Sequence, residues 1–155
     1  MRQFYSMVLI LSVLSLVGCG EKNPYDTVKV TGVVKVDGTP MSGVTVSFRP
    51  VIVDGMSAGG MTDADGNFVL TTGTAPFGSG AIVGEYNVVF FKSDVPEEYR
   101  TDSPEEFAEK FGDLRAAPVV HHVPEKYNSH RTSGVASVKV EKEGANHFEF
   151  LLSTK

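Results

Sequence analysis

The chain has one cysteine, no tryptophan and no cluster of Lys and Arg. One cysteine excludes an internal disulfide, so the fold must hold through its core. Without a basic patch, nucleic acid is not expected as a partner. Lys and Arg number 14 against 19 Asp and Glu, a formal net charge of −5. No apolar run reaches the ~20 residues that span a bilayer as a helix. What the sequence does have is turn chemistry and aromatic filling. Sixteen Gly and eight Pro favour short strands and many reversals, while ten Phe and five Tyr supply core volume.

The lone cysteine stands at a marked place. Arg2 is a positive start, Met7 to Leu16 is an apolar core of roughly ten residues, and small residues close the segment. Leu16-Val17-Gly18-Cys19 resembles the lipobox of bacterial lipoproteins. By that resemblance Leu16, Val17 and Gly18 are the signal-peptidase recognition residues, residues 1–18 are cut away, and Cys19 carries lipid on its sulfur and its new amine. The competing reading is an ordinary secretory leader that ends in a chance cysteine. Removing 18 of 155 residues leaves 137, enough for one domain, and the loss of Arg2 takes the charge from −5 to −6. Two or more acyl chains anchor a protein stably, so the expected product is anchored and not spanning. Residues 19–27 are polar and aperiodic, a tether. Gly20 after the cysteine resembles the pattern of outer-membrane sorting in double-membraned bacteria.

Thr62-Asp63-Ala64-Asp65-Gly66-Asn67-Phe68-Val69-Leu70 is the clearest structural signal. Asp and Gly supply a tight reversal, and the residues after it alternate polar with apolar, which predicts a hairpin. Strands are predicted at Val28–Val36, with a bulge at Gly32, and at Val44–Phe48, with Val44, Val46 and Phe48 on one face. Further strands are predicted at 58–62, 67–72, 85–92, 135–140 and 147–152, with Asp37-Gly38-Thr39-Pro40 and 141–146 as turns. The run from Pro50 to Ser57 reads as a loop. Seven or so short strands predict an all-β sandwich over 28–155. An insertion at 93–131 interrupts it. There Ser103-Pro104-Glu105-Glu106 is a capping box, Phe107, Phe111 and Leu114 recur at helical spacing, and Gly112 is a stop. One short helix follows, expected to lay its Phe face on a sheet edge or sandwich end.

Val33, Asp37-Gly38, Pro40, Gly43-Val44, Val46 and Phe48, then Thr62-Asp63, Asp65-Gly66 and Phe68, then Gly84, Tyr86 and Val88, resemble the carboxypeptidase-regulatory-like domains. The resemblance implies a seven-stranded, prealbumin-like (transthyretin-like) Greek-key sandwich related to the Cna-B repeats of adhesins. Pro124-Glu125-Lys126-Tyr127-Asn128-Ser129 followed by Ser133-Gly134 is similar to a segment of small bacterial lipoproteins. These motifs identify a fold and not a ligand.

Several patterns invite a chemical reading. Asp63-x-Asp65-Gly66 begins like a calcium loop, but position twelve counted from Asp63 is Thr74, not Glu, so a plain turn is favoured. Adjacent His121 and His122 on an extended segment point to opposite sides and do not share one ion without distortion, so no metal site is expected. There is no Gly-x-Ser-x-Gly. Gly78-Ser79-Gly80 is followed by Val83 where a dinucleotide loop needs Gly. The fold includes a purine-pathway hydrolase with a C-terminal Tyr-Arg-Gly-Ser motif, whereas this chain ends Leu151-Leu152-Ser153-Thr154-Lys155. Cna-B repeats often carry a Lys–Asn isopeptide bond, for which Lys29 or Lys35 and Asn146 are the positions to test. The Glu97-Glu98 and Glu105-Glu106-Glu109 runs read as solvated surface.

The expectation is a non-catalytic, lipid-anchored cell-envelope module without cofactor, meeting a protein or glycan through the insertion or through the loops at one sandwich end. Phe107, Phe111 and Tyr127 are the candidate partner surface. A purely structural envelope component is the alternative, and a transthyretin-like hydrolase is the third reading.

Overall fold

The computed structural model describes residues 26–73, 79–112 and 116–155. Leu16, Val17, Gly18 and Cys19, with the leader and most of the tether, lie outside the described residues, as do Gly78 and Leu114.

Most of the regular structure of the described residues is β, with a few short helical segments. β1 (Thr27–Val28) is a short lead-in, and β2 (Thr31–Val36) follows it. Asp37-Gly38 then turns the chain into β3 (Thr39–Pro40), with both turn residues at positive φ, as a two-residue hairpin demands. β4 (Thr45–Pro50) and β5 (Ala58–Met61) precede the Asp/Gly reversal. β6 (Asn67–Val69) and β7 (Thr71–Thr72) leave it, followed by β8 (Ala81–Ile82) and β9 (Gly84–Phe91). The insertion holds β10 (Ser93–Asp94), helix α1 (Pro104–Phe111) and β11 (Val120–His121). Helix α2 (His130–Ser133), β12 (Val138–Val140) and β13 (His147–Leu152) complete the chain.

Two sheets share one core. In the first, β2 lies between β13, which runs parallel to it, and β6 with β3, which run antiparallel. The second has the order β12-β9-β4-β5-β7. The strand predicted over 67–72 is split between the two sheets. β6 pairs with β2 and β7 with β5, while the Leu70 N–H between them donates to Val30 O at 3.0 Å. That crossing closes one side of the sandwich.

Alternation sets what faces inward. Val34 and Val36 on β2 and Val46 and Phe48 on β4 are buried, and the residues between them are not. Phe48 packs against Phe68, Phe148 and Phe150 of the first sheet and Tyr86 of the second. Gly32 carries no bulge, because both of its ladders run through it in register. Its missing side chain makes room instead for the Phe68 ring and the Phe148 carbonyl, both of which a Cβ would strike.

The last strand is clamped at its edges. Lys35 pairs with Glu149 across the parallel ladder, and Asp37 accepts from both the Thr154 N–H and its hydroxyl. Thr154 holds the Asp37 carboxyl below its usual range, and the Lys35 hydrogen bond does the same for Glu149.

Register defines two poles. The start of β2, the end of β4, the start of β9 and the 141–146 turn meet at the pole where the chain enters, as Thr27↔Ile82, Pro50↔Tyr86, Val140↔Gly84 and the Thr31 N–H to Asn146 O bond show. The hairpin turns at 37–38 and 63–66, the end of β9 and the C-terminus lie at the opposite pole.

Candidate functional site

β9 ends at Phe91 at the far pole, and the insertion begins there. β10 and β11 form a two-residue ladder, Ser93↔His121 and Asp94↔Val120, that brings the two ends of the insertion together. The neighbouring histidines engage different carboxylates: His121 Nε2 lies 3.1 Å from Glu125 and His122 Nε2 3.1 Å from Asp94. They diverge, as adjacent residues of an extended segment must. Among the described residues, no group of three or more His, Cys, Asp and Glu is placed to hold a metal.

Helix α1 forms where the capping signal stands. The Glu106 N–H donates to Ser103 Oγ at 3.1 Å, Glu106 Oε2 accepts from the Asp102 N–H at 3.0 Å, Pro104 opens the helix, and Gly112 closes it at positive φ. Its Phe face does not lie on the sandwich, which corrects the expected packing. No residue of α1 is buried. Instead Phe107 packs on Phe111 with ring centres 4.9 Å apart, and Phe111 on Tyr99 at 5.0 Å, the rings tilted in both pairs. Tyr99 comes from a single helical turn, Glu97–Tyr99. Beside the cluster, Thr101, Ser103, Pro104, Phe107 and Ala108 line an open groove of 530 Å³.

Tyr127 does not join this group. It is 5% exposed, sits edge-on to Phe90, and its hydroxyl accepts from the Ser153 N–H at 2.8 Å. With Val123 it fills the gap between β9 and the end of β13, so the insertion returns to the body by plugging it. Of the three aromatic candidates, the structure brings Phe107 and Phe111 together and sends Tyr127 to the core. Tyr99, the third member of the surface cluster, went unnoticed in the sequence. The Tyr99–Phe107–Phe111 spacing crosses a helix start, where periodicity gives no signal.

The remaining motifs are occupied locally. Asp63 Oδ1 accepts from the Asp65 and Asn67 N–H groups at 3.0 and 2.8 Å, so that carboxylate caps its own turn. The Asn146 side chain closes the 141–146 turn through both the N–H and the carbonyl of Glu141, while Lys35 is held by Glu149 and Lys29 is exposed. No helix among the described residues is long and apolar enough to cross a membrane.

No family model, curated protein or solved structure matches this chain. The site therefore has to be read from its own geometry.

Proposed function

We propose that this is an exported, lipid-anchored and non-catalytic envelope module of the carboxypeptidase-regulatory-like, prealbumin-like class, with residues 28–155 as its domain. It holds the insertion out to a protein or glycan partner. One observation carries the reading: the chain enters the body at Thr27 at one pole, and the insertion leaves from Phe91 at the other. An anchor at Cys19 would then put the Tyr99, Phe107 and Phe111 cluster on the side away from the lipid. Counting β6 and β7 as one strand that changes sheets gives seven principal strands interleaved between two sheets, which supports the Greek-key part of the reading.

Replacing Cys19 with Ala tests the anchor. The wild-type protein should enter the detergent phase and the variant the aqueous phase, and equal partitioning would falsify the lipid anchor. A photo-crosslinker at Phe107 in the lipidated protein tests the surface. Adducts should form there and not at an exposed residue of the entry pole such as Glu143.

The burial of Tyr127 favours a second reading, in which the insertion only braces the sandwich of a structural component. Adducts solely between copies of this chain would decide for it.

A further inference from the structure

The pole where the chain enters carries the two most exposed large apolar side chains of the described residues, Val53 and Ile52, ahead of Leu151 and Met61 towards the opposite pole. Val51, Ile52 and Val53 of the β4–β5 loop are 49%, 71% and 88% exposed, and Val83 between β8 and β9 is 41% exposed. Ile52 and Val83 line one cavity of 260 Å³ with Ile82 and Met56, so loop and link form a single surface. The loop is held there by its own backbone. The Val51 N–H donates to Glu85 O at 2.9 Å, and Asp54 at φ 67° with the Gly55 N–H to Ile52 O bond turns Ile52 and Val53 outward. Three consecutive apolar residues facing water are a feature that soluble surfaces avoid unless something covers them.

The position of the chain entry says what covers them. Thr27 pairs with Ile82, next to Val83, and the seven residues Gly20 to Asp26 join Cys19 to Thr27. Seven residues extend at most about 25 Å, so an anchor at Cys19 keeps this pole against the bilayer. We propose that Val51, Ile52, Val53 and Val83 dip into the lipid surface, a second and apolar contact that fixes the body's orientation on its anchor. The inference rests on the anchor reading of Cys19. Charge at this pole is balanced and not a basic patch: Lys142 is paired with Asp26 and Lys139 with Glu141, and the exposed Lys29 and Arg49 stand among Asp54, Glu85 and Glu143. Four side chains are also too few for a stable dimer face, which needs about 800 Å² from each partner.

The test uses the full chain isolated from the membranes of its own cells, where its mass shows whether Cys19 carries lipid. Lipid on Cys19 leaves an introduced cysteine as the only thiol. Val53→Cys and, at the far pole, Glu109→Cys are labelled with a fluorophore and reconstituted into phosphatidylcholine vesicles containing brominated phosphatidylcholine. The label at position 53 should be quenched about threefold, independently of salt, and the label at 109 should be unaffected. Adding Ile52→Asp to the Val53→Cys protein should abolish most of the quenching while leaving the melting temperature unchanged. A lipidated protein whose position-53 label stays in water overturns the inference and leaves the anchor standing. A bare Cys19 overturns both. Shielding that follows protein concentration in the absence of lipid assigns the surface to a second copy and likewise overturns it.

Discussion

Replacing Gly66 with Ala should destabilise the body far more than the same change at Gly38, and the difference isolates one contact. Both glycines sit at positive φ, 76° and 85°. A left-handed conformation costs an L-residue about 1–2 kcal/mol, and this cost is common to the two sites. Their surroundings differ. A Cβ on Gly38 meets nothing within 4 Å, whereas one on Gly66 lies 2.8 Å from Val34 O and 3.2 Å from Met41 N. These are backbone atoms of the β2–β4 region, and the Val34 N–H already donates to Gly66 O at 2.9 Å. The turn cannot step away without breaking that bond. Overpacking of this kind adds roughly 1–3 kcal/mol, so Gly66→Ala should cost about 2–5 kcal/mol in total. A body of this size loses roughly 3–5 °C of Tm per kcal/mol. Thermal melts followed by circular dichroism should therefore place Gly38→Ala a few degrees below wild type and Gly66→Ala well below that. Equal losses would show that Val34 O does not crowd Gly66. Wild-type melting in both would remove the positive φ as well.

Phe48→Ala should cost about 3–5 kcal/mol, the most of any single truncation in the core, because its ring touches aromatic residues of both sheets; urea unfolding measures it, and a loss below that of Val46→Ala would refute the central role. Asp37 and Glu149 have carboxyl pKa values lowered in the folded state, so their contribution is complete above the unfolded carboxylate range and is lost as pH falls through the lowered values. Thr154→Val removes the hydroxyl that does most to lower Asp37 and should flatten the acid-side fall of Tm, while leaving the curve at alkaline pH parallel to wild type. An unchanged acid limb would show that Asp37 is not held by Thr154.

Much of this architecture can be read from residue order, because its signals are local. β13 lies at 147–152, the residues predicted for it, and α1 begins at the residue that Ser103 and Pro104 indicate. The reversal at Asp63 to Gly66 is fixed by side-chain bonds to its own backbone. What escapes the sequence depends on distant partners. Gly32 looks like a bulge because nothing nearby in the chain reveals that the Phe68 ring occupies its empty side. Tyr127 stands among polar residues and reads as surface until Ser153 and Phe90 are brought to it. Phe107 and Phe111 have the spacing of a helix that packs on a core. Only three dimensions show that Tyr99, and not the sandwich, is what they meet.

The polarity of the molecule, by contrast, follows from counting. Each principal strand carries the chain from one pole to the other, so an even number of crossings returns it to the entry side and an odd number leaves it opposite. The β4–β5 loop comes after two crossings, β2 and β4, and its apolar triplet must face the side where the tether arrives. The insertion comes after five: β2, β4, β5, the β6–β7 strand and β9. It is therefore forced to the far side, whatever its own sequence contains. Val51-Ile52-Val53 would pass for a strand by composition, yet the pairing runs out at Val51, whose N–H still donates to Glu85 O, and Asp54-Gly55 turns the chain, which leaves the three side chains without a sheet to cover them. With lipid on Cys19, as proposed, an apolar segment outside the ladder at the entry pole has the bilayer as its nearest apolar environment. On the same proposal, parity puts the insertion with Tyr99, Phe107 and Phe111 on the side away from the lipid, open to the proposed partner or to another copy of the chain.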